Sequence, residues 1–272
     1  MTLCASFCYF LIMKKCFLFC IFIISILCTN SYGFEIKGLQ PVDPYGIFST
    51  FSAESLSQGK VAFSTGGEIT VSPDLYRLIF KTAYGITDNV ELELTAPYEF
   101  GSGSPDGFED IALGLKHRFF EEGKYGPSLA YVLTASLPTG SGRLTTDGRY
   151  GVGLLVSKRV GPVNGHANLF YVKPGSGGLE NEVSFSAGLD FAAGHNFKLL
   201  AELYCRKSNF SNKIDTIEGR AGYRIKTTDF IYTTLGVGTD FKRRSPETRV
   251  MLTVTFISPQ EKKKIKKIYE EE

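Results

Sequence analysis

Strict alternation of apolar and polar side chains, at a period of two residues, most constrains what this chain can fold into. In residues 90–100 (VELELTAPYEF), apolar or aromatic residues occupy every second position, and Glu91, Glu93 and Glu99 lie between them. Successive side chains of a β-strand point to opposite faces, so this segment would have one apolar and one acidic face. No run before the C-terminal tail shows the 3.6-residue apolar period of a helix, which indicates an all-β chain.

The alternation recurs in about twelve segments after residue 60. It is clear in residues 76–84, 111–119, 129–137, 183–191, 197–206, 217–225 and 249–256. Residues 230–240 have no assignable face, and glycines interrupt residues 61–70. No linker rich in proline or serine divides these segments, so they predict one large β domain.

The lengths of the connections favour a membrane barrel over a soluble β-sandwich, which would alternate in the same way. Short connections are predicted at residues 85–89, 121–126, 161–162, 192–196 and 226–229. Longer connections, rich in glycine or charge, are predicted at residues 101–107, 139–149, 174–181, 208–215 and 241–246. Short periplasmic turns and longer external loops are typical of transmembrane barrels, although the connection at residues 72–74 is short.

Aromatic and charged residues support the same interpretation. The aromatic residues that adjoin the short connections are Tyr84, Phe119, Phe191, Phe197 and Phe230, as in an interfacial girdle. Charged faces turned toward lipid would cost about 2–4 kcal/mol for each mid-membrane Lys or Arg, so they must face the lumen. We therefore expect an antiparallel transmembrane β-barrel of about twelve strands, with both termini in the periplasm, rather than a secreted soluble β protein.

The first 33 residues are typical of a secretory signal peptide. Lys14 and Lys15 precede the apolar residues 16–28, and small residues follow at 31–33. That apolar stretch is shorter than the roughly 20 residues of a transmembrane helix, which disfavours an N-terminal membrane anchor. Leu27 stands before Cys28 where a lipoprotein needs a small residue, so we expect cleavage to leave Phe34 as the mature N-terminus.

Translation is expected to start at Met13, directly before the lysines. The expected organisation is a signal peptide at residues 1–33 and a periplasmic lead-in at residues 34–59, which could fold into the periplasmic mouth of a narrow or partly plugged pore. Residues 60–256 would form the outer-membrane barrel, and residues 257–272 would form a charged periplasmic tail.

Composition after export excludes several classes of function. Five of the six cysteines lie within the first 33 residues, so only Cys205 remains, and no disulfide framework or metal cluster is expected. Loss of Lys14 and Lys15 leaves 28 basic residues against 28 acidic ones. This near-neutral balance gives no electrostatic reason to expect nucleic acid as a partner. No glycine-rich segment leads from a strand into a helix, so no cofactor is expected.

Several motifs resemble those of the MetA-pathway of phenol degradation family of outer-membrane barrels. They are residues 107–119 (GFEDIALGLKHRF), 84–88 (YGITD), 137–140 (LPTG), 156–161 (VSKRVG) and 166–168 (HAN). The resemblance covers about residues 45–256. It implies an outer-membrane barrel that passes small molecules, including hydrophobic or aromatic ones, with no catalytic residues. In this family the chain commonly stops at the aromatic residue that ends the last strand. Here sixteen residues follow Phe256, so residues 257–272 depart from the family.

Two alternatives to a pore remain open: a barrel hydrolase that acts on lipid, and a barrel that only anchors or supports. His166-Ala167-Asn168 looks like the His-x-Ser-Asn of outer-membrane phospholipases, but the serine is missing, so polar packing in the lumen is favoured. The expected partners are outer-membrane lipid, the barrel-assembly machinery and a small-molecule solute.

A band of charge is predicted to line the lumen near its periplasmic mouth, where rings of charge set pore selectivity. Its members are Lys81, Glu91, Glu93, Asp110, Lys116 and Arg118. A five-residue turn at 85–89 would place Tyr84 opposite Val90 and Lys81 opposite Glu93.

Overall fold

The computed structural model of the chain describes residues 38–71, 75–101, 106–141, 144–209, 211–242 and 248–259. The predicted signal peptide and most of the predicted tail lie outside these residues, as do parts of several long connections. Among the residues described, no helix is long and apolar enough to cross a membrane.

Twelve long strands of 9–13 residues alternate in direction along the chain. They are β3 (Val61–Val71), β4 (Leu75–Gly85), β5 (Val90–Gly101), β7 (Ala112–Phe120), β8 (Ser128–Ser136), β9 (Arg149–Val160), β10 (Val163–Pro174), β11 (Glu182–Gly194), β12 (Phe197–Lys207), β13 (Thr216–Thr228), β14 (Ile231–Asp240) and β15 (Thr248–Ile257). Three two-residue strands accompany them: β1 (Gly46–Ile47), β2 (Thr50–Phe51) and β6 (Gly107–Phe108).

The long strands form a closed barrel. Each pairs antiparallel with its neighbours in the chain, and β15 returns to pair with β3, where Phe256 lies opposite Phe63. Closure pairs every barrel strand on both sides, which is what a sheet needs when it lies in lipid without water to hydrogen-bond a free edge. The predicted twelve-stranded antiparallel barrel is therefore confirmed.

The two ends of the barrel differ in their connections. Residues 86–89, 161–162, 195–196 and 229–230 connect strands tightly at one end, which we call the turn end. Longer connections, such as residues 137–148 and 175–181, lie at the other end, which we call the loop end. The first and last barrel strands, β3 and β15, begin and finish at the turn end, as an even number of strands requires.

The outer surface of the barrel is apolar. Leu92 is 46% exposed, Leu133 49% and Leu154 55%, and all three lie on the face that the alternation predicted to be apolar. Near the turn end, the exposed ring of Phe119 stacks on that of Tyr131, with centroids 6.2 Å apart. An apolar wall of this kind is stable against hydrocarbon rather than water, and aromatic residues at its border suit the membrane interface. The molecule has the architecture of an outer-membrane barrel.

The strand whose face could not be assigned from sequence is β14. Thr234 is buried on the inner face, whereas Val237 is 53% exposed on the outer face. Gly236 and Gly238 occupy inner positions of β14. Because glycines have no polar side chain, the sequence of β14 does not show which of its faces is the inner one.

The predicted register between β4 and β5 is wrong by two residues. Tyr84 lies opposite Leu92 rather than Val90, and Lys81 lies opposite Thr95 rather than Glu93. The reason is a tighter turn: Gly85 pairs with Glu91, and the N–H of Ile86 donates to the carbonyl oxygen of Val90, so the turn holds three residues, 87–89, rather than five. A shift by an even number of residues leaves every side chain on its predicted face.

Candidate functional site: the filled lumen

The inner wall of the barrel carries a continuous run of ion pairs. Arg220 on β13 donates to Glu202 on β12 at 2.8 Å and to Glu218 on its own strand at 2.6 Å. Further round the wall, Arg249 on β15 lies 2.9 Å from Glu68 on β3. Arg220, Glu202, Glu218 and Arg249 are almost fully buried, and Glu68 is mostly buried, so each charge needs a partner of opposite sign.

Three of the residues predicted to form the charge band lie together. The Nζ atom of Lys116 is 2.6 Å from Oε1 of Glu91 and 3.5 Å from Oε1 of Glu93, and all three side chains are buried. Glu91 and Lys116 are direct cross-strand partners between β5 and β7.

The other three predicted residues make separate contacts. Lys81 points inward from β4 into a small cavity that Asp43 also lines. Asp110 accepts hydrogen bonds from the backbone N–H groups of Gly140 and Thr146, so it orders the connection at the loop end. Arg118 donates to the turn between β4 and β5, to Oδ1 of Asn89 at 2.7 Å and to the backbone carbonyl of Asp88 at 3.1 Å.

Residues 38–60, which we call the plug, lie inside the barrel. Ile47, Ala53 and Leu56 are fully buried there, against inward-facing side chains of the wall. The plug starts with Gly38 beside Arg149, the first residue of β9, at the loop end. It ends at the turn end, where the N–H of Gly59 donates to the carbonyl of Gly85.

Side chains of the wall hold the backbone of the plug. Oε2 of Glu202 accepts from the N–H groups of Ser49 at 2.9 Å and Thr50 at 2.8 Å. The side-chain amide of Asn168 accepts from the N–H of Phe51 at 2.6 Å and donates to its carbonyl oxygen at 2.9 Å. Because these bonds go to backbone groups, they satisfy donors and acceptors that the plug would otherwise bury without partners.

Two further anchors lie nearer the turn end. Oε2 of Glu91 accepts a short hydrogen bond of 2.5 Å from the N–H of Leu56. Arg224 of β13 donates to the carboxylate of Asp43 and to the carbonyl oxygen of Gly46 at 2.6 Å. Glu91 therefore serves the plug and Lys116 at once, and a role in holding the plug was not predicted from the sequence.

Glycines on the inner wall receive side chains of the plug. A Cβ atom added at Gly114 would come within 2.2 Å of the side chain of Leu39, and one at Gly236 within 2.2 Å of the ring of Phe48. A Cβ at Gly222 would also meet the ring of Phe48, at 2.9 Å. Side chains at these wall positions would exclude the plug, so the wall is shaped to contain it.

A serine, a histidine and an aspartate from three neighbouring strands meet beneath the plug. Ser157 Oγ lies 2.7 Å from Nδ1 of His166, whose Nε2 atom is 3.8 Å from Oδ2 of Asp190. A catalytic triad requires a hydrogen bond between histidine and aspartate, and 3.8 Å is too long for one. Ser157 also accepts from the N–H of Ala53 at 2.8 Å, so this group is another plug anchor. The register of β9, β10 and β11 brings the three residues together, so the short motif around residue 166 does not contain them.

The plug leaves little space beside Phe51 and Asp43. Among the described residues, the cavities that plug and wall line together measure about 50 Å³ beside Phe51, about 20 Å³ beside Asp43 and about 240 Å³ at the turn end, beside Pro44 and Arg224. A cavity of about 150 Å³ is the size that takes up a benzene molecule. The cavity at the turn end exceeds this size, whereas the spaces beside Phe51 and Asp43 are too small for such a molecule.

Solved structures of outer-membrane channels share the fold. An outer membrane channel from Pseudomonas putida F1 matches with a TM-score of 0.61 and 14% identity, over 75% of this chain and 97% of that one. The NanC porin matches with a TM-score of 0.57 and 10% identity, over 71% of this chain and 98% of that one. The KdgM porin matches with a TM-score of 0.54 and 11% identity, over 72% of this chain and 98% of that one. No family model matches the chain, and no curated protein matches it in sequence.

Proposed function

We propose that this chain is an outer-membrane channel for small molecules, and that the plug closes it in the conformation described. The observation that carries the proposal is a closed barrel with an apolar outer wall whose charged inner wall binds a separate segment of the chain. A barrel that served only as an anchor or support in the membrane would not need a plug in its lumen. The resemblance to the MetA-pathway of phenol degradation family supports hydrophobic or aromatic solutes, and the NanC and KdgM folds are those of porins.

The turn end of the barrel faces the periplasm, and the loop end faces the exterior, as in other barrels of this kind. In that orientation the plug joins the wall at the periplasmic end, and its first described residue, Gly38, lies toward the exterior. The band formed by Glu91, Glu93 and Lys116 then lies near the periplasmic mouth, where it acts on ions once the plug has moved.

The chain acts without enzymatic chemistry. The buried Ser157 uses its hydroxyl group to hold Ala53, and His166 and Asp190 are buried as well. A hydrolase would need the nucleophile open to substrate and a completed hydrogen-bond chain behind it.

Conductance in planar bilayers tests the proposal. We expect the full chain to be closed most of the time and a variant that lacks residues 39–56 to conduct steadily. A variant that lacks residues 260–272 serves as the matched control and should behave like the full chain. Heat-dependent mobility in gels shows whether each variant folds as a barrel. A folded plug-deletion barrel that does not conduct would contradict a channel and favour an anchoring role.

A further inference from the structure

One region of the inner wall is apolar, although most of the wall is charged or polar. Ala130 and Val132 on β8, Leu155 on β9 and Phe170 on β10 all point inward and lie together. Ala130 and Leu155 are direct cross-strand partners. We call these four residues the apolar patch.

The ring of Phe170 lies against a glycine of the neighbouring strand. A Cβ atom added at Gly153 would come within 2.5 Å of this ring, so the glycine leaves the space that the ring needs. The patch therefore has a broad aromatic surface at mid-height in the barrel wall.

A phenyl ring of the plug occupies the patch. Phe51 is only 2% exposed and packs against Ala130, Val132 and Leu155. Its ring centroid is 5.5 Å from that of Phe170, with the rings tilted by 43°. The patch thus already binds one aromatic ring, and that ring belongs to the chain itself.

The approach to this ring comes from the loop end. The cavity of about 50 Å³ beside Phe51 is lined also by Phe170, Tyr204 and Leu39, and by Arg149 at the start of β9. It has room for water but not for a second ring beside the first. An aromatic solute that enters from this side must therefore take the place of Phe51.

We propose that the apolar patch is a binding site for a small apolar solute the size of one aromatic ring, and that Phe51 occupies it as a ligand built into the chain. Displacement of Phe51 by the solute breaks the contact between plug and wall and favours opening. Asn168, which now binds both backbone groups of Phe51, becomes available to a hydroxyl or carbonyl group on the solute. This inference rests on the proposed channel function and assigns its solute class and site.

The test compares the effect of toluene on the intact chain and on Phe51→Ala. In the intact chain, toluene competes with Phe51, so the ratio of open to closed channels should rise with the toluene concentration, and the open fraction should saturate. A ligand that binds only the open form raises this ratio by 1 + [L]/Kd, or about elevenfold at ten times its dissociation constant. In Phe51→Ala, the plug is loosened from the start, and toluene should fill the vacant space and close the channel again.

Toluene should therefore raise the ratio of open to closed channels in the intact chain and lower it in Phe51→Ala. A general effect of toluene on the bilayer would change the ratio in the same direction in both proteins. Val132→Thr places a hydroxyl group in the patch at nearly constant volume and should weaken both effects of toluene. Glycerol, a polar molecule, should have no effect on either protein.

A second measurement reports plug release whether or not the barrel conducts. Ser52 is buried beside Phe51, so a cysteine introduced by Ser52→Cys should react with a charged thiol reagent several-fold faster when toluene is present. Effects of the same sign in both proteins, or labelling that toluene does not change, would overturn the site. If the plug-deletion variant conducts while toluene has neither effect, the channel stands and this inference fails. If no variant conducts but toluene speeds the labelling, the site stands and the channel function fails.

Discussion

Replacement of Glu202 by glutamine tests whether wall carboxylates keep the plug in place. Glu202 accepts two hydrogen bonds from the plug, at Ser49 and Thr50, and one from Arg220. A hydrogen bond to a charged group contributes about 1.5–3 kcal/mol, against about 0.5–1.5 kcal/mol for a neutral one. The loss of the charge at two plug bonds therefore weakens the closed state by about 2 kcal/mol.

A change of about 2 kcal/mol corresponds to a roughly 30-fold increase in the ratio of open to closed channels. Single-channel recording in a planar bilayer measures that ratio directly. Glu109→Gln is the matched control, because Glu109 is equally buried but pairs with Arg77 of the wall at 2.8 Å. If Glu202→Gln leaves the ratio unchanged, or if Glu109→Gln raises it as much, the plug is not held by Glu202.

Three further predictions concern other parts of the molecule. Ser157→Ala should raise the open fraction because it removes the acceptor of the Ala53 N–H. Both the intact chain and this variant should hydrolyse a chromogenic ester no faster than buffer alone. Labelling of the intact chain by a serine-reactive fluorophosphonate would argue for an enzyme instead. In the barrel without its plug, Glu91→Gln combined with Glu93→Gln should shift the reversal potential under a salt gradient toward anion preference, and an unmoved potential would place these residues away from the constriction. Phe256→Ala should reduce insertion into outer membranes, as measured by the yield of heat-modifiable protein, whereas removal of residues 260–272 should not.

The barrel could be predicted from the sequence because its two faces differ strongly in polarity. Residues such as Leu92 and Glu93 alternate over whole strands, and the structure places them on the faces that this alternation indicates. The register of a hairpin depends on the geometry of a single turn, so the pairing of Lys81 with Thr95 could not be read from the pattern.

A partly plugged pore could be predicted from the number of strands, but the contacts of the plug could not, because they depend on residues distant in the chain. Residues 38–60 show no alternation of apolar and polar side chains. Their backbone groups are held by side chains of the wall, such as Asn168, which lies 117 positions after Phe51. The meeting of Ser157, His166 and Asp190 likewise depends on the register of three strands. For the predicted charge band, the alternation could place Lys81, Glu91, Glu93 and Lys116 on the inner face. It could not show that Asp110 orders the loop-end connection or that Arg118 binds the turn after β4.

The distance along the chain between the plug and its partners determines when the plug can dock during assembly. Thr50 bonds to a residue 152 positions later, and Asp43 bonds to Thr234, 191 positions later. Contacts that close such long loops carry the largest entropic cost and form after local strand pairing. The pairing of β15 with β3, which closes the barrel, joins residues as far apart, since Ser64 bonds to Thr255, 191 positions later. We therefore expect closure of the barrel and docking of the plug to be late steps, and a molecule that inserted before its plug docked would make the membrane briefly permeable.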